Sequence, residues 1–96
     1  MDRETAIRVL SQHKPVLRER FAVRDLALFG STARNAATEG SDVDLLVSFD
    51  GPATSARYFG VQFYLEDVFG CAVDIVTQKA LRPELRPYVE KDVIHV

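Results

Sequence analysis

The sequence predicts a small α/β domain, a mixed sheet of three to four strands flanked by helices. Three observations carry this expectation. Apolar runs of strand length at 23–29, 42–49 and 71–76 alternate with helical spacing at 3–13 and 55–69. Gly30, Gly51-Pro52 and Gly70 sit at the junctions, where chain breakers belong. The 96 residues, 47% of them hydrophobic, make one domain, 1–96, with a modest core and no tendency to wholesale disorder.

Each element has its own warrant. Ala6, Ile7, Val9 and Leu10 recur at helical spacing over 3–13, and Pro15 either kinks this helix or opens a second one through Val16, Leu17 and Phe21. Residues 23–29 read as a strand apolar on both faces toward its end, hence central in the sheet. Gly30 ends it, and Ser31 reads as the N-cap of a short helix over 31–37. Glu39-Gly40-Ser41 is a turn before the strand at 42–49. The helix at 55–69 carries Tyr58, Val61, Leu65 and Val68 on one stripe, and a third strand follows Gly70. Pro83 and Pro87 limit the tail to short helical turns, and 93–96 can form a terminal strand.

Composition narrows the function. A net charge of -2 gives no overall basic footprint, so no direct nucleic-acid binding is expected. The single cysteine, Cys71, excludes an internal disulfide and a cysteine-based zinc cluster, and reads as a small buried residue. The charged start Met1-Asp2-Arg3-Glu4 is no secretory signal, and no run of about 18 apolar residues offers a membrane span. A cytoplasmic protein is expected.

The chemistry centres on Asp42-Val43-Asp44. Strand side chains alternate faces, so Asp42 and Asp44 point one way while Val43, Leu45, Val47 and Phe49 form the core-facing row. A rise of about 3.3 Å per residue sets the two aspartates roughly 6–7 Å apart, a span that lets both flank one divalent cation. Asp74, between Val73 and Ile75, repeats the pattern on the third strand. If the strands pair with matching faces, three carboxylates gather at one sheet edge, where they would repel unless hard cations neutralise them. Each aspartate alone also reads as a solvated turn residue.

Gly30-Ser31 supplies the counterpart. A strand ending in glycine and running into a helix start exposes unpaired N–H groups suited to phosphate. Gly30 permits close approach, and Ser31 offers a hydroxyl and an N–H. Arg34 could reach the same phosphate or form a salt bridge with Asp42 or Asp44. Neither a P-loop nor a dinucleotide fingerprint is present.

Together, Phe29-Gly30-Ser31-Thr32-Ala33-Arg34 and Ser41-Asp42-Val43-Asp44-Leu45-Leu46-Val47 resemble the signature of the DNA polymerase β-like nucleotidyltransferases, and the whole chain resembles their minimal nucleotidyltransferase group. The resemblance implies that fold, with Asp42 and Asp44 holding two Mg2+ ions and Asp74 as the third carboxylate, binding metal and activating the acceptor hydroxyl. Gly30 and Ser31 would hold the nucleotide, ATP; Arg34 is a candidate for the same role from its position one helical turn on. It further implies a type VII-like antitoxin that adenylylates a tyrosine of a HEPN-domain ribonuclease toxin.

Two other readings compete. A non-catalytic antitoxin would neutralise the toxin by binding alone. An antibiotic-modifying small-molecule nucleotidyltransferase ranks last, since such relatives usually carry an additional C-terminal domain. Tyr58, Phe59, Phe63, Tyr64 and Phe69 spread beyond one helical stripe, so part of this group is expected to meet a partner or a second copy of the chain. His13, read at a helix end, and His95 are read as non-catalytic, and Lys79 as solvated.

Overall fold

The computed structural model describes residues 2–38 and 40–96, so the expected turn at Glu39 lies partly outside the described residues. Helix α1 (Arg3–Phe21) starts where the Asp2 carboxylate accepts a 2.8 Å hydrogen bond from the Thr5 N–H, and stops at Ala22, which is left-handed at φ 58. It continues through Pro15 as one helix, so no second helix opens there. A proline inside a helix costs about 3 kcal/mol. Leu10 and Leu17, both fully buried, lie on either side of it, and each contributes about 1.5–3 kcal/mol only if the helix stays whole. Their burial offsets the proline.

Strand β1 (Val23–Phe29) leads into α2 (Gly30–Ala33), a single turn. Strand β2 (Val43–Phe49), helix α3 (Ser55–Phe69) and strand β3 (Val73–Thr77) form a parallel crossover unit. Helix α4 (Arg86–Asp92) and strand β4 (Ile94–His95) close the fold. The sheet order is β3-β2-β1-β4, with β1 antiparallel to both β2 and β4 and β2 parallel to β3. The four-stranded mixed sheet agrees with the expected class, and β1 is central as its two apolar faces require.

Both faces are covered. Val43, Leu45, Val47 and Phe49 join Leu10, Leu17, Leu28, Val61 and Leu65 in the main core beneath α1 and α3. On the other face a smaller cluster of Ala27, Leu46 and Leu81 packs with Phe29, Val76, Val89 and Val93 from the tail. A register shift between Val23 and Asp25 explains how Val23 and Leu26, three residues apart, both enter the main core. The second and third strands each begin later than expected, at Val43 and Val73.

Edge strand β3 is guarded from one side by α3. Tyr58 donates to the Ile75 carbonyl at 2.6 Å, Gln62 donates to the Val73 carbonyl at 3.2 Å, and the Glu66 carboxylate accepts from the Val73 N–H at 3.1 Å. These three residues, four apart, form one row on the helix and satisfy backbone groups that β2 does not reach.

Candidate active site

Every element that bears a site residue meets at one end of the sheet. The parallel register sets Asp44 level with Asp74, on strands about 4.8 Å apart. Val73 and Ile75 are buried while Asp74 is exposed, and Asp44 is half-buried between buried Val43 and Leu45. The alternation argument therefore holds for both strands. Asp42 lies one residue before β2 and is exposed, so it reaches the edge from the loop rather than from the strand.

The electrostatics show the crowding. The Asp44 carboxyl is held above its ordinary value, first by burial and then by the negative charges of Asp74 and Asp42, with Arg34 pulling the other way. Among the described residues, no three His, Cys, Asp or Glu side chains form a ready-made metal cage. The oxygen donors present still fit a hard cation: magnesium commonly takes one or two carboxylates and completes its shell with water and substrate phosphate.

The turn before them is shaped by one contact. Gly30 has φ +73, and a Cβ placed there would overlap Asp44 Oδ2 and stand 3.0 Å from Asp44 Cγ. Glycine is required both for the backbone angle and for the space. Ser31 is not the expected N-cap. Phe29 occupies that position without a side-chain cap bond, which places Ser31 inside the first turn, where its N–H has no intrahelical acceptor. Helix α2 is also shorter than expected, because the chain turns left-handed at Asn35, φ 57. The Arg3 N–H donates to Asn35 Oδ1 at 3.2 Å and ties this turn to the start of α1.

Arg34 forms a salt bridge, with a partner other than the expected one. Its guanidinium pairs with Asp92 at 2.8 Å rather than with Asp42 or Asp44. Asp92 was not legible as a partner because 58 residues separate the two. His13 lies in the middle of α1, not at its end, and its Nδ1 shares a 2.7 Å hydrogen bond with the Tyr64 hydroxyl. It is a link between α1 and α3. Lys79 and His95 are exposed, and Cys71 is half-buried against the main core. Tyr58, Tyr64 and Phe69 pack on that core, whereas Phe59 and Phe63 stay 48% and 64% exposed and stack at 6.1 Å.

Comparison with known proteins identifies the family. The nucleotidyltransferase domain family matches residues 10–96. The protein adenylyltransferase MntA of Thermococcus cleftensis is 39% identical over 88 residues, covering 92% of this chain and 89% of the relative. A solved structure described as a candidate minimal nucleotidyltransferase superposes with TM-score 0.81 at 37% identity, covering 98% of this chain and 95% of the other. The fold is also shared with one chain of a solved Shewanella oneidensis structure, tri-AMPylated HEPN toxin in complex with MNT antitoxin, at TM-score 0.60 and 17% identity over 97% of this chain and 66% of that chain. The chain belongs to the nucleotidyltransferase domain family, within its minimal nucleotidyltransferase group, and is an enzyme of the nucleotidyltransferase class.

Proposed function

We propose that this chain moves AMP from ATP onto a hydroxyl of a protein acceptor, a tyrosine of a cognate HEPN-domain toxin, and so acts as that toxin's antitoxin. The observation that carries the reading is Asp44, level with Asp74 and pressed against Gly30 at the mouth of the Gly-Ser turn. The names of the relatives point to the same class, protein adenylyl transfer.

In this reading residues 1–96 act as one domain. Gly30 leaves room for the Asp44 carboxylate beside the turn, and Ser31 offers its hydroxyl and N–H to the terminal phosphates. Asp42, Asp44 and Asp74 would hold two Mg2+ ions, which when bound would neutralise the carboxylates and withdraw charge from the α-phosphate. Asp74 takes the proton of the acceptor hydroxyl, whose oxygen bonds to the α-phosphorus. The bond from that phosphorus to the bridging oxygen breaks, and pyrophosphate leaves in line with the attack. No helix among the described residues is long and apolar enough to cross a membrane. We place the reaction in the cytoplasm, where ATP and the toxin would meet it.

A second reading rests on the exposed Phe59-Phe63 pair: the chain neutralises by occupying the toxin, without transfer. One experiment separates the two. The protein is incubated with labelled ATP, Mg2+ and the product of the adjacent gene, beside Asp42→Ala and Asp44→Ala. Label on the toxin that disappears with either substitution supports the enzyme. Neutralisation that persists with no label transferred would establish the binding reading instead.

A further inference from the structure

The C-terminal segment is tied by pairing to the strand that ends in the Gly-Ser turn, and by charge to Arg34. Strand β4 pairs antiparallel with β1 through Leu28↔Ile94 and Ala27↔His95. Asp92, the last residue of α4, stands two residues before β4, and Gly30 directly follows β1. Asp92 has a side chain only 18% exposed, and it accepts the 2.8 Å bond from Arg34 Nη1, whose own side chain is 52% exposed. Arg34 directly follows α2 as its C-cap, with its N–H on the Gly30 carbonyl at 3.1 Å. Residue 34 is thus held at its backbone by the Gly30 turn and at its guanidinium tip by α4.

A long arginine left free loses rotamer freedom when it meets a ligand, and a restrained one loses less. The restraining carboxylate is poorly solvated, so it favours keeping its cation near. Guanidinium has five donors, and one bond to Asp92 leaves others for phosphate oxygens.

We propose that Asp92 is a positioning residue for nucleotide binding: by anchoring Arg34 from the C-terminal helix, it keeps the guanidinium ordered beside the Gly-Ser turn where the triphosphate arrives. The inference rests on the nucleotide-binding reading given above. It differs from a purely structural salt bridge in requiring a loss of ATP affinity that a change in melting temperature alone does not produce.

The test is calorimetric titration of Mg-ATP into wild type, Asp92→Asn, Arg34→Ala and the double variant, with melting temperatures for all four. Saturated transfer rates complete the comparison. Asp92→Asn is expected to raise the ATP dissociation constant about fivefold, the effect of one lost ordering contact, while kcat at saturating ATP changes by less than about twofold. In the Arg34→Ala background the same change is expected to add nothing. Unchanged affinity in Asp92→Asn, or an equal loss with and without Arg34, overturns the inference while leaving the nucleotide site intact. A wild type that takes up no Mg-ATP overturns the functional reading, and this inference with it.

Discussion

The carboxylate of Asp44 rests against the bare Cα of Gly30, occupying the volume that any side chain at position 30 would need. Gly30 also stands at φ +73, so the strand end, the turn and the acidic strand behind it are fitted to one another. Gly30→Ala is therefore expected to strain the backbone and push Asp44 aside, costing about 1–3 kcal/mol of stability and nearly all transfer activity. Urea unfolding and the labelled-ATP assay read the two losses separately. Transfer at the wild-type rate would show that the contact has no part in the chemistry.

Asp44 also makes a pH prediction. Its folded-state pKa lies above the ordinary value, through burial and then Asp74 and Asp42. Below the unfolded value the protonated group favours folding, and that contribution is lost as pH rises through the folded value. At neutral pH the ion-free protein bears the strain of an ionised Asp44. Asp44→Asn should accordingly melt higher than wild type at pH 7 while losing transfer, and the gap should close near pH 3. Melting curves against pH decide it, and a variant less stable at pH 7 would refute the repulsion.

The same repulsion should respond to cations. Millimolar Mg2+ is expected to raise the wild-type melting temperature and to leave that of Asp44→Asn nearly unchanged. Equal shifts in both proteins would mean that the ion acts elsewhere.

The row of α3 side chains on β3 should matter for stability more than for nucleotide binding. Tyr58→Phe removes the donor to the Ile75 carbonyl, and Glu66→Ala removes the acceptor for the Val73 N–H. Each is expected to cost about 1 kcal/mol in urea unfolding, and a little more where the exposed backbone group finds no water. A cost indistinguishable from zero for both would show that β3 does not need its guard.

How much of this was legible in the sequence depends on how local the cause was. The alternation of Val43, Leu45 and Val47 against Asp44, and of Val73 and Ile75 against Asp74, follows from the two-residue period of a strand. The pairing of these rows agrees with that pattern. Ser31 was misread as a cap because a serine after glycine looks the same at the N-cap and one residue inside the turn. Pro15 looked like a break because its cost is local, whereas the burial of Leu10 and Leu17 that outweighs it is tertiary. The Arg34–Asp92 pair was invisible for the plainest reason, since nothing near either residue marks a partner 58 positions away.

Phe59 and Phe63 offer a test of the partner surface. Both are largely exposed, so Phe63→Ser should change stability by no more than about 0.5 kcal/mol. In the proposed function the same substitution weakens the complex with the toxin, measured by surface-immobilised binding. Undiminished binding by a Phe59→Ser, Phe63→Ser double variant would remove this face from the interface.

The most direct measurement is the position of the ions themselves. Crystals grown with a non-hydrolysable ATP analogue and Mn2+ in place of Mg2+ would report metal by anomalous scattering. The account predicts a peak bridging the Asp44 carboxylate and the nucleotide phosphates, with oxygens at about 2.1–2.2 Å and Asp42 or Asp74 beside it. Bound nucleotide with its metal away from Asp44, or triphosphate seated far from Gly30 and Ser31, would contradict it.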